Sequence, residues 1–125
     1  MKAFLLLPII ALTLYGADVT GSWTGTVEVA DPSGGNNITQ SVKAHFEQKG
    51  SVVSGAIGRA EDDEPSPIKN AKLEGNNLVF EVQPPEATSP FKFTLKVVSD
   101  NMIQGEMKGA VDAGNITGKV TLNRK

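Results

Sequence analysis

The sequence predicts an all-β fold, an eight-stranded up-and-down antiparallel barrel, and three observations predict it. Apolar and polar residues alternate with period 2 in one segment after another from Val19 onward, as in strands with one buried and one wetted face. Seven clusters rich in Gly, Asn, Asp and Pro separate these segments, and seven turns divide the chain into eight strands. The connections are mostly too short for a parallel crossover, which needs roughly a dozen residues, so consecutive strands are antiparallel neighbours.

The strands follow from the alternation. Trp23, Val27 and Val29 share one face of the first segment, with Ser22, Thr24, Thr26 and Glu28 on the other. Val42, Ala44 and Phe46 alternate with Lys43, His45 and Glu47; Leu78, Phe80 and Val82 alternate with Val79, Glu81 and Gln83. Phe91, Phe93, Leu95 and Val97 alternate with Lys92, Thr94 and Lys96, and Ile116, Val120 and Leu122 with Thr117, Lys119, Thr121 and Asn123. The turn clusters are Asp31–Asn37, Lys49–Ser51, Glu61–Pro67, Glu74–Asn77, Gln83–Pro90, Ser99–Asn101 and Asp112–Asn115. Gly, Asn and Asp accept the positive φ of tight hairpins. Every proline beyond residue 17 falls in one of these clusters, where its missing N–H breaks no ladder.

Eight strands in this order leave two edges, and closing the sheet removes both. An open sheet or a sandwich fits the same strands. Gly25, Gly55, Gly105, Gly109 and Gly118 lie inside strands, mostly on the apolar parity, where they relieve crowding in a tightly coiled small barrel. Closure is therefore the preferred reading. The interior set is nearly all aliphatic or Phe, which predicts a mostly filled core.

The N-terminus reads as a secretory signal over residues 1–17, with the barrel domain at 18–125. Lys2 supplies the positive start, Ala3–Leu14 is apolar apart from Pro8 and Thr13, and Ala17 offers a small residue at the cleavage position. The apolar run is too short to span a bilayer, which takes about 20 residues, so no membrane span is expected in the mature chain, and the localisation expected is secreted or periplasmic. Processing removes one basic residue and no acidic one, moving the formal charge from −2 to −3. That balance disfavours a nucleic-acid role, which needs a concentrated basic face. With no cysteine in the chain, stability rests on the core without disulfides.

Gly21-Ser22-Trp23, at the start of the first strand, resembles the Gly-x-Trp opening of the calycins, the barrel group that includes lipocalins and avidins. The chain is also similar to small exported bacterial proteins built on a Gly-x-Trp-x-Gly opening and a β-meander. The calycin resemblance implies that Trp23 closes the base of the barrel with an Arg from the last strand stacked across it. Arg124 shares parity with Ile116, Val120 and Leu122 and is the residue expected there, as a cation–π contact. Both residues are thus structural candidates. Trp23 is the only tryptophan, so the indole cage of avidin's biotin site is absent, and the chain ends without the lipocalin C-terminal helix.

No catalytic or metal-binding residue is assigned, and no cofactor is expected. A nucleophile needs an adjacent base, and the single His45 falls on the wet face of its strand. One His and no Cys cannot build a His/Cys metal site. Glu61-Asp62-Asp63-Glu64 is the one conspicuous charge run, but adjacent carboxylates diverge and lack the spaced pattern of calcium loops, so a solvated loop is favoured over an ion site. Glu28, Glu47, Glu81 and Glu106 alternate outward, away from any cleft where paired carboxylates could act. What remains is an exported non-enzymatic binding protein whose ligand is a small apolar molecule. Phe46, Phe80, Phe93 and Met107 are its interior binding candidates. The alternative is a structural or protein-interaction module of the cell envelope using the loops at 31–37, 61–67 and 83–90 on a rigid scaffold, with an envelope protein as partner.

Overall fold

The computed structural model describes residues 18–30, 35–84, 87, 89–111 and 114–125. The expected signal at 1–17 lies outside the described residues. Eight strands follow one another: β1 (Gly21–Val29), β2 (Ile38–Lys49), β3 (Val52–Arg59), β4 (Ser66–Glu74), β5 (Asn77–Val82), β6 (Phe91–Ser99), β7 (Met102–Val111) and β8 (Gly114–Arg124). Each pairs antiparallel with the next, and β8 returns to β1, giving a closed barrel in sequence order. The closing pairing runs from Trp23 opposite Arg124 to Val29 opposite Gly118. No edge remains for another strand to add to.

The inward set is the one the alternation marks. Trp23 and Val27 of β1, Val42, Ala44 and Phe46 of β2, Leu78, Phe80 and Val82 of β5, Phe93, Leu95 and Val97 of β6, and Val120 and Leu122 of β8 are all buried. Val53, Ile57, Leu73, Ile103 and Met107 complete the strand contribution, and no polar or charged described residue is buried with them. Gly25 shows why glycine belongs on this face. It sits between Val42 and Leu122, and a Cβ there would overlap the Thr121 carbonyl. The wall bends too sharply at that point for a side chain.

Outward rows are mostly polar, with Ile38, Val52 and Val98 exposed among the strand residues, and they pair charges across strands. Glu81 stands between Lys69 and Lys92, and Lys119 between Glu106 and Glu28. An apolar inside and charged outside is the inverse of a lipid-facing barrel wall. Among the described residues no helix is long and apolar enough to cross a membrane.

One expectation about proline is corrected. β4 begins at Ser66, so Pro67 lies in a strand, opposite Ala56, instead of in the preceding turn. The ladder beside it is already broken: the β3–β4 register shifts between Val52 and Ala56, and the β4–β5 register between Lys69 and Lys72. Asn70, with φ of 53°, sits in the second shift. An inserted residue switches the inward parity, and Ile68 before it and Ala71 and Leu73 after it all pack toward the core.

The two ends of the barrel differ. The short hairpins at Gly50-Ser51, Gly75-Asn76 and Asp100-Asn101 share one end with Asp18 and Lys125. The connections from β1 to β2, β3 to β4, β5 to β6 and β7 to β8 lie at the other, and the first three of these are the long ones.

Candidate functional site

The short-hairpin end is sealed by residues just before β1 and at the end of β8. Val19 and Trp23 are fully enclosed, and the indole Nε1 donates to the Val19 carbonyl at 2.9 Å. The Val19 amide donates to Gln48 Oε1 at 2.9 Å, and the Gln48 amide to Thr20 Oγ1 at 3.0 Å. Arg124 lies over the indole, its guanidinium carbon 4.4 Å from the ring centroid. Its Nη1 donates to the Thr20 carbonyl at 2.6 Å, Nη2 to Asp18 at 2.8 Å and Nε to Asp100 at 2.9 Å. The hydrogen bond from the Thr20 amide to Asp18 Oδ1, at 2.9 Å, holds that carboxyl below its ordinary value, and the Arg124 charge adds to the effect. Burial at this end is apolar, while the polar groups named above find partners at the rim.

The four interior candidates stand in one region of the core. Phe46 and Phe80 approach to 5.9 Å between ring centroids, tilted by 56°. Phe80 and Phe93, register partners on β5 and β6, stack at 4.8 Å with 17° between planes. Met107 is the register partner of Phe93 on β7 and is also buried. These rings meet each other across the barrel, so a guest at their level would have to displace them.

Toward the long-loop end the interior loosens. Val29, Ile68, Phe91 and Ile116 are half-buried against the core at the top of β1, β4, β6 and β8. Phe91 leans across β7: a Cβ on Gly109 would overlap its ring. The missing side chain at Gly109 is what lets the aromatic fold into the mouth above Phe93 and Met107.

No protein-family model matches this chain, and neither does any curated protein or solved structure. The functional reading rests on the barrel and its residues.

A second feature, on the outer wall, was not legible in the alternation. The β1–β2 register sets Ser22 opposite His45, and β2–β3 sets His45 opposite Ala56. Ser22 Oγ and His45 Nδ1 are 3.4 Å apart, both exposed. They stand in an open recess of about 170 Å³ whose other lining residues are Trp23, Thr24, Lys43, Ala44, Ala56, Pro65 and Lys125. No carboxylate side chain lines it to orient the imidazole, and the contact is longer than a working nucleophile–base pair at roughly 2.6–3.2 Å. The pairing depends on register, which the intra-strand pattern alone does not fix.

The acidic run is engaged by Arg59. Its backbone amide donates to Asp62 Oδ2 at 3.0 Å, and Nε and Nη2 donate to Oδ1 at 3.2 and 3.0 Å. The backbone and side-chain hydrogen bonds from Arg59 hold the Asp62 carboxyl below its ordinary value. Glu61 stands 3.8 Å from the same guanidinium. Among the described residues no group of three or more His, Asp or Glu side chains could hold a metal.

Proposed function

We propose that the protein is an exported, non-enzymatic binding protein of calycin-like build that takes a small apolar ligand at the long-loop end of its barrel. The observation that supports this is the asymmetry of the two ends. One is sealed by Val19, Trp23 and Arg124. The other, from which the long connections leave the strands, keeps Val29, Ile68, Phe91 and Ile116 only half-buried. Apolar side chains ringed by loops on a rigid wall are the usual setting of a small-molecule site. With Phe80 in contact with both Phe46 and Phe93, the seat lies above the aromatic stack, at the level of Phe91 and Ile116.

Native mass spectrometry of protein purified from its own periplasm or medium tests the reading. A co-purified apolar mass that disappears in Phe91→Asp supports it; protein that carries no added mass and captures none from an aliphatic extract overturns it.

The filled stack favours a second reading, in which the same end meets an envelope protein through its loops. Replacing the connections at 31–37, 61–67 and 83–90 by short turns then abolishes a pull-down that Phe91→Asp leaves intact.

A further inference from the structure

The recess on the outer wall differs in chemistry from the rest of the surface. Its floor is low because the outward positions of β3 are Ala56 and Gly58, flanked by the taller Lys43 and His45 of β2. The β3–β4 connection forms its far side: a Cβ on Gly58 would come within 3.0 Å of Pro65 Cα, so Pro65 rests directly on the strand. The Arg59–Asp62 hydrogen bonds and the bond from the Ala60 amide to the Ser41 carbonyl fasten that connection down. The Lys125 amide donates to the Ser22 carbonyl at 2.9 Å and brings the last residue to the near side.

The lining therefore gathers Lys43, His45 and Lys125 with the hydroxyls of Ser22 and Thr24, and contains no carboxylate side chain, although acidic residues outnumber basic ones in the whole chain. Asp62, whose carboxyl feels the Lys43 charge, is already held by Arg59. Two lysines, a histidine and two hydroxyl residues around one depression are a set rich in donors, with Ser22 and His45 already in contact with each other. Pro65 and Ala56 add an apolar wall. The volume of about 170 Å³ is close to that of an engineered cavity of roughly 150 Å³ that accepts benzene, so it suits a body of one six-membered ring.

We propose that this recess binds an organic anion, a carboxylate or phosphate carried on a single ring-sized body, with Lys43 and Lys125 neutralising the charge and Ser22, Thr24 and His45 orienting it. The recess shares the β3–β4 connection with the long-loop end, but the proposal does not rest on the reading above.

The test is a titration of ¹⁵N-labelled protein with glucuronate, with glucose 6-phosphate and with neutral glucose. The expected result is saturable movement of the Ser22, His45 and Ala56 amides with one or both anions and none with glucose; which anion acts tells carboxylate from phosphate. Lys43→Gln is expected to weaken that binding about tenfold, as loss of one charge-assisted hydrogen bond does, while amides distant from the recess keep their positions and show that the variant is folded. Equal response to glucose, no response to either anion at millimolar concentration, or unchanged affinity in Lys43→Gln overturns the proposal.

Discussion

A guanidinium over an indole gains only about 0.5–2 kcal/mol, so most of the weight of Arg124 lies in the three main-chain carbonyls it joins, those of Asp18, Thr20 and Asp100. Hydrogen bonds to a charged group contribute about 1.5–3 kcal/mol, and Arg124→Ala is expected to lower stability by about that much in urea unfolding. Trp23→Ala, which empties the barrel floor, is expected to cost about 3–5 kcal/mol, and His45→Ala less than about 0.5 kcal/mol because its side chain is exposed. Equal losses for Trp23 and His45 would contradict the inside–outside assignment. Asp18 adds a pH dependence. Its carboxyl is held below the ordinary value in the folded state, so its contribution is present above the unfolded carboxyl pKa of about 3.9 and is lost as pH falls through the folded one. The urea midpoint should drop on acidification below about pH 4, and drop less in Asp18→Asn. Parity within each strand turned Trp23 and Arg124 inward, and the expectation that they meet came from the calycin resemblance. The meeting of Ser22 and His45 was not legible in the sequence, because it depends on how β1 and β2 are registered.

At the scale of the strands, legibility tracked the regularity of the ladder. β1, β2, β5 and β8 alternate regularly, as does β6 from Phe91 to Val97, before its register with β7 shifts, and their inward residues could be named from the sequence. β4 could not be read this way, because its parity switches between Ile68 and Ala71 and the pattern fits neither phase throughout. The expectation for Pro67 failed for the same reason: a residue beside a register shift has no intact ladder to break. Inward glycines set the curvature of the wall. Gly25→Val forces a side chain into the Thr121 backbone, and overpacking of this kind is expected to cost about 1–3 kcal/mol in chemical unfolding. At Gly109 the added bulk meets the movable ring of Phe91; Gly109→Val is expected to displace that ring, seen as a change in its aromatic proton shifts, with a smaller loss of stability.

At the scale of the whole barrel, the described residues form one sheet wrapped around one core, with no disulfide and no buried polar or charged side chain among them. Closure agrees with composition as well as connectivity. Eight strands with their apolar rows on one face need that face covered, and here the sheet covers it by closing on itself. The same geometry separates the surface into a sealed end, a long-loop end and a charged wall, and it is this division that places the two candidate sites. Everything depends on β8 lying beside β1. Nuclear Overhauser contacts between Gly25 and Leu122 and between Val27 and Val120, with slow amide exchange along both strands, test that pairing most directly. The barrel predicts both contacts; their absence, with the β1 and β8 amides exchanging as exposed edges, would contradict it.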